Sequence, residues 1–415
     1  MSETNGYPKK TAIVLSGGGA RGAYEAGVLA YIFENLYPKL PAGFEFDIFS
    51  GTSVGAIHAA YLAATAGLEP SERSVRLSAI WKNMTLGSVL RLRPGDLFAV
   101  PLRLLGTNIL SRKTRGRETI ETLGGLVDIS PLEELVDREI PWKELRTNLD
   151  QHHNSALCIA CADVENGEIT VFIDGKLADT TPWQYDPFVG AVKTDITSCH
   201  VRASAAIPFL FPAVRIRKSF YYDGGLRLNT PLSPALRLGA NKILVISLKH
   251  ARTVGELDRR PSSETITQPA FLVGKLLDVL LLDQIEYELQ RLDLINGLLK
   301  TGVTAYGEDF TSKINSIVRE KRGADFKPVD ALVVKPSEDL GRVAARCYRR
   351  YKAGRSARDI MASWFMRAAT VGVPEDEADL LSYLFFESEY TNELLELGRR
   401  DAAENEERIF ALLTK

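Results

Sequence analysis

The chain has 415 residues, 45% of them hydrophobic and 25% charged, with a formal net charge of −2. That is the composition of an ordinary globular protein, longer than one typical core, so one large domain with a helical annex, or two domains, is expected. The charge balance points to no nucleic-acid partner, four cysteines make no disulfide framework, and no run of about 18 apolar residues offers a membrane span.

The polar start MSETNGYPKK has no signal-peptide profile. A cytoplasmic chain with peripheral access to membranes is the expectation. Thr11–Leu15 (TAIVL) is a continuous apolar, β-rich run and reads as a buried parallel strand. It leads into Gly17-Gly18-Gly19-Ala20-Arg21-Gly22, and Tyr24 to Leu36 then reads as a helix. A glycine run between strand and helix presents unobstructed N–H groups at a positive helix end. Two uses compete. Gly17, Gly19 and Gly22 spell G-x-G-x-x-G, a dinucleotide fingerprint, with Glu45 and Asp47 near the ribose-acid offset. Asp47, however, precedes the next strand instead of following it. The favoured use is an oxyanion hole built from N–H groups of this loop. Arg21 is then a cation for a phosphate or an anchor for the loop itself.

The next strand ends at Ile48-Phe49 and is followed by Gly51-Thr52-Ser53-Val54-Gly55, then by the small, helix-forming run Ala56–Ala64. Strand, sharp turn and helix form the context in which G-x-S-x-G is a nucleophile elbow. Gly51 and Gly55 let the backbone turn without a Cβ in the way, and Ser53 is left at the start of a helix. A plain turn with a capping serine has the same residues, so the pentapeptide alone leaves both readings open.

From Leu68 to about Glu121 the pattern is less regular. Residues 85–117 interleave six arginines and one lysine with leucines against one acid, Asp96. Such a segment suits contact with an anionic membrane surface or a lid, and equally a solvated cover with snorkelling arginines. Cys158 and Cys161, with His152-His153 nearby, form a C-x-x-C inside a buried strand. Residues three apart there face opposite ways, so no metal or redox site is expected. Asp163–Asp174 reads as a hairpin turning at Glu165-Asn166-Gly167. Asp195–Val201 reads as a helix. Arg202–Val214 is apolar and irregular, suited to lining an acyl-sized pocket or to packing as a loop.

Phe220-Tyr221-Tyr222 reads as a short strand that ends in Asp223-Gly224-Gly225, where glycines allow close approach just past an acid. Pro231–Leu238 suggests a helix and Lys242–Leu248 another parallel strand. A polar linker (253–264), a long amphipathic helix (Phe271–Lys300) and a last core strand (Ala331–Val334) follow. Helices then run to the end, over Arg342–Arg350, Ala357–Ala369, Asp376–Glu387 and Glu393–Leu413. The expected fold is α/β, with a largely parallel sheet between two helical layers and the site at the strand carboxyl ends.

Taken together, these stretches resemble the patatin-like phospholipases of bacterial type. Gly17–Gly22 is similar to that family's oxyanion loop, Gly51–Gly55 to its nucleophile elbow and Asp223-Gly224-Gly225 to its dyad motif. Leu126–Leu132, ASAAIPFLFP (Ala203–Pro212) and stretches near Gly274–Leu277 and Tyr383–Phe386 are similar as well. The resemblance implies a three-layer α/β/α patatin-like fold with a helical C-terminal extension. It divides the chain into a catalytic domain (1–255), a helical insertion (256–330) and a final core strand with C-terminal helices (331–415). It implies a cofactor-free, metal-free serine acyl hydrolase in which Ser53 attacks the ester of a phospholipid or other acyl lipid, Asp223 takes its proton, and Gly18 and Gly19 hold the oxyanion. Chain order also permits a triad of Ser53, Asp223 and His250. His58 is a poor partner, rotated by about 140° and shifted about 7.5 Å along the helix from Ser53. Oligomeric state is not legible.

Overall fold

The computed structural model describes residues 9–91, 110–115, 118–124, 127–151, 155–208, 210–250, 272, 274–275, 285–351, 366–367, 370 and 378–414. One sheet contains β1 (Thr11–Leu15), β2 (Ile48–Thr52), β3 (Leu110–Arg115), β4 (Glu118–Leu123), β5 (Ala156–Asp163), β6 (Ile169–Asp174), β7 (Val189–Lys193), β8 (Ala213–Ile216), β9 (Ser219–Asp223), β10 (Lys242–Ile246) and β11 (Asp330–Val334). Its order is β11-β10-β1-β2-β5-β9-β8-β4-β3, with β6 and β7 branching from β5. The five strands from β11 to β5 are parallel, and β9, β8, β4 and β3 extend the sheet antiparallel.

The parallel strands β1, β2, β5 and β10 are buried along their whole length, and apolar residues dominate them because both faces are covered. Ile13, Leu15, Leu244 and Ile246 point to one core, and Ala12, Val14, Ile243 and Val245 to the other. The first core is shared with α1 (Gly22–Tyr31), α2 (Val54–Ala64) and the helix Ser388–Glu404. The second is closed by Leu232–Arg237 and Ile285–Tyr306. This is the expected three-layer α/β/α arrangement, with a helical C-terminal region. Cys161 lies in the first core and Cys158 in the second, and burial pushes both thiols up. Among the described residues no group of acids, histidines and cysteines is placed to hold a metal, and no helix is long and apolar enough to cross a membrane.

Several elements differ from their sequence pattern. The irregular stretch after Leu68 contains a regular helix, α3 (Pro70–Lys82). Its inward face is Arg73, Ser74, Leu77, Ser78 and Trp81. Polar groups buried there hide the hydrophobic period: Arg73 pairs with Glu45 at 2.5 Å and donates to Leu62 O. The helix expected at Asp195–Val201 is Ser198–Ser204, started by a Thr197–His200 capping box. The final helix breaks at Asn405 into Ser388–Glu404 and Glu406–Thr414. Of the basic segment 85–117, residues 110–115 form β3 and residues 92–109 and 116–117 lie outside the described residues. So do His152-His153, the linker 253–264, most of 357–369 and the 255/256 boundary.

The C-terminal helices are built into the domain. β11 pairs with β10, and the helix Ser388–Glu404 crosses α1 backbone to backbone. A Cβ on Gly27 would lie 2.2 Å from Leu395 O, and one on Gly398 would lie 2.2 Å from Tyr24 O. Gly27→Val should therefore destabilise the protein by about 2–4 kcal/mol, since backbone cannot yield as a side chain can. Gly297→Ala, which meets nothing within 4 Å on the helix Ile285–Tyr306, should stabilise it by about 0.5–1 kcal/mol. Urea denaturation midpoints measure both.

Candidate active site

The site is assembled by register. Thr52 on β2 pairs with Ala160 on β5, and Asp223 on β9 pairs with Cys161 on the other side of β5. Ser53 and Asp223, 170 positions apart in sequence, are thereby brought to one level with a single strand between their elements.

At Ser53 the chain reverses. Its φ of 56° and ψ of −124° are rare for a residue with a Cβ, a conformation that costs on the order of 1–3 kcal/mol. The turn is tight because α2 drops directly onto the strand tips. A Cβ on Gly55 would stand 2.3 Å from Leu15 O, and one on Gly51 2.2 Å from Gly55 O. Hydrogen bonds hold the strained residue. Its N–H donates to Ser204 Oγ (3.0 Å), and Ser204 Oγ donates to Ala160 O (2.7 Å).

Asp223 is 1% exposed. Its N–H donates to Ala206 O, and its Oδ1 accepts from Gly225 N–H at 2.8 Å. The Ser53 side chain lies close enough to the same carboxylate to act on its pKa. Burial pushes the Asp223 carboxyl up to about 6, and the Ser53 side chain and the Gly225 N–H pull the other way. Among the described residues no histidine hydrogen-bonds to Asp223. His250 Nδ1 faces Pro336 O at 2.9 Å. His58 is held on both nitrogens: Trp81 Nε1–H donates to its Nε2 (3.0 Å), which leaves Nδ1 to donate to Glu25 (2.8 Å).

The glycine loop lies beside the elbow. Gly17 N–H donates to Asn229 O, Arg21 N–H to Gly18 O, and Gly22 N–H to Gly19 O and Ala20 O. Those donors are committed within the protein. Gly19 has φ of 56°, and a Cβ there would meet Tyr383 O at 2.4 Å. Arg21 is buried and serves the loop: Nε donates to Ser382 (2.8 Å), Nη1 to Tyr383 OH (3.2 Å), and the guanidinium stacks 4.0 Å from the Tyr383 ring. Asp47 and Glu45 precede β2 and so lie at the opposite edge of the sheet from this loop. Asp47 accepts from Thr11 N–H and Glu45 pairs with Arg73. A dinucleotide fingerprint in Gly17–Gly22 is left without its ribose acid.

In front of Ser53 opens a cleft of about 770 Å³, counting its mouth, lined almost wholly by apolar side chains. Ala205, Ile207 and Phe211 contribute to it from the irregular stretch after Arg202. Sequence reasoning missed three supports of this site. Ser204 was legible only as part of an apolar stretch. Asn229, which brackets Gly17 through its carbonyl and its Nδ2, carries no local signal. Nor does Glu25, fully buried, which joins Ser16 N–H (2.7 Å) to His58.

A family model described as Patatin-like phospholipase matches residues 13–236. Uncharacterized protein L620 of Acanthamoeba polyphaga mimivirus is 45% identical over 65 residues, 15% of this chain and 17% of that protein. The chain thus spans less than a fifth of the length of that curated relative. Among solved structures, VipD from Legionella pneumophila aligns with a TM-score of 0.34 at 14% identity, over 94% of this chain and 67% of that one.

The raised carboxyl has a consequence for stability. An acid with a folded pKa near 6 against 3.8 is buried at a cost that is fully present above pH 6 and absent below about pH 4. Asp223→Asn should therefore be more stable than wild type at pH 8, by about 3 kcal/mol at most. The gain should vanish as pH falls from 6 to 4. Denaturation series at pH 4 and pH 8 give the comparison.

Proposed function

The chain belongs to the patatin-like phospholipase family, and on that premise we propose that it hydrolyses carboxylic esters of acyl lipids, phospholipids or lysophospholipids among them, through a Ser53–Asp223 dyad. What supports the reading is one juxtaposition: a buried carboxylate, pushed up by burial, stands beside a serine in a strained elbow that lines an apolar cleft.

In this mechanism Ser53 Oγ attacks the ester carbonyl carbon while Asp223 takes its proton. An aspartate at its ordinary pKa near 4 is a weak base for a hydroxyl; burial raises its basicity. The carbonyl oxygen becomes an oxyanion that accepts from N–H groups of Gly18, Gly19 and Ala20, the loop residues other than Gly17, Arg21 and Gly22, whose N–H groups are committed. Collapse breaks the ester C–O bond. The alcohol departs with the proton from Asp223, and the acyl group stays on Ser53. Water then attacks the acyl-enzyme and gives a proton to Asp223; the acyl C–O bond to Ser53 breaks, Asp223 returns the proton to Ser53 Oγ, and the carboxylic acid leaves. Gly51 and Gly55 shape the elbow, Gly224 and Gly225 the turn that presents Asp223, and no step calls for a metal or cofactor.

For domain organisation we propose that 331–415 works with 1–255 as one unit, because β11 completes the sheet and Ser382 and Tyr383 hold Arg21. The alternation of cations and leucines in 85–117 supports that segment as the membrane contact.

Ser53→Ala and Asp223→Asn should each lower kcat for a short-chain p-nitrophenyl ester by about four orders of magnitude, with His250→Ala near wild type. A fluorophosphonate probe should label wild type and not Ser53→Ala. Loss of activity in folded His250→Ala replaces the dyad with a triad. Because the base must be ionised, kcat/KM should rise with pH to a plateau, half-maximal near pH 6. A profile flat from pH 5 to 8 removes Asp223 as the base.

A further inference from the structure

Two clefts meet at the far end of α2. The apolar one begins at Gly19 and Ser53. The second, about 1010 Å³ with its open mouth, carries Arg76 and Arg138 at its rim and is partly polar. Tyr61, Ile80, Met84, Leu135 and Glu139 line both. The two spaces are thus separated by a wall one side chain thick. Ile80 and Leu135 are only half-buried, and Met84 is unbranched and adaptable.

The wall stands at a defined distance from the serine. Ser53 caps α2, and Tyr61 lies eight residues on, roughly 12 Å along the axis at about 1.5 Å per residue. An extended chain advances about 1.2 Å per bond, as a peptide advances about 3.6 Å over three. An acyl group of about ten carbons therefore reaches from Ser53 to the wall.

We infer that the wall formed by Tyr61, Ile80, Met84 and Leu135 meters the length of the acyl group, so that medium chains of about ten carbons are the preferred substrates. This rests on the reading of Ser53 as the nucleophile. Up to the wall each methylene is buried among apolar side chains. A longer chain must displace Met84 or Ile80 and enter the partly polar cleft, where each further methylene gains less.

The test is a chain-length series of p-nitrophenyl esters, from four to sixteen carbons, with wild type, Met84→Ala, Ile80→Ala and Ile80→Trp. Displacement of a fluorescent fatty acid by free acids of the same lengths runs beside it. Wild-type kcat/KM is expected to peak near ten carbons. Met84→Ala and Ile80→Ala should raise the ratio of sixteen- to eight-carbon activity about tenfold, the worth of burying roughly two more methylenes. Ile80→Trp should move the peak to shorter chains, and the free acids should rank the same way. A folded set of variants with the wild-type profile overturns the inference, as does a uniform loss at every length. If no ester is cleaved but free-acid affinity still breaks near ten carbons and moves in Met84→Ala, the wall stands and the nucleophile reading fails. Cleavage without any break does the reverse.

Discussion

The carbonyl oxygen of Leu15, at the tip of β1, sits 2.3 Å from where a side chain on residue 55 would begin. This approach of helix backbone to strand backbone sets the geometry of the whole site. It brings the first turn of α2 over the strand ends and forces the reversal at Ser53 into positive φ. The strain is held by a relay from Ser53 N–H through Ser204 to Ala160 O. Since β5 supplies that carbonyl and also pairs with Asp223, one strand positions both the serine and the acid. A shift of β5 by one residue would turn its side chains to the opposite cores and separate the pair.

The glycine loop depends on a more distant part of the chain. Arg21 is stacked on Tyr383 and bonded to Ser382, and Gly19 has no room for a Cβ because Tyr383 O is there. The helix Ser388–Glu404 lies against α1 at Gly27. The loop is therefore clamped between the first strand and the last helices. A buried guanidinium is costly unless paired and hydrogen-bonded, and here Asp379, Ser382 and Tyr383 of the C-terminal region are among its partners.

Two buried carboxylates border the site and are treated differently. Glu25 is wholly buried and bridges Ser16 N–H and His58 Nδ1–H, tying the end of β1 to α2 and, through Trp81, to α3. Asp223 accepts from the Gly225 N–H and has the Ser53 side chain close by, and burial outweighs both. The first carboxylate is fixed in a closed network. The second lies behind Ser53, which lines the apolar cleft, and a carboxylate beside a hydroxyl suits proton exchange.

Much of this was legible in local pattern. The strands at Thr11, Lys242 and Ala331, the hairpin after Asp163 and the elbow at Ser53 announce themselves through apolar runs, turn glycines and a strand–turn–helix sequence. Those signals need only neighbouring residues. α3 was hidden because its inner face buries Arg73, Ser74 and Ser78: Arg73 pairs with Glu45 and donates to Leu62 O, Ser74 donates to Glu34, and Ser78 accepts from Arg399. Ser204, Asn229 and Glu25 were silent for the same reason: each acts on a group far away in sequence. The sequence by itself determined which elements form and which residue types stand at their ends, since propensity, period and turn chemistry are local. Only the tertiary structure decided that Ser53 and Asp223 stand side by side, that Arg21 serves the loop, and that Ile80 and Met84 line the cleft. Those outcomes depend on strand register and on backbone contact between segments hundreds of residues apart, which no local pattern encodes.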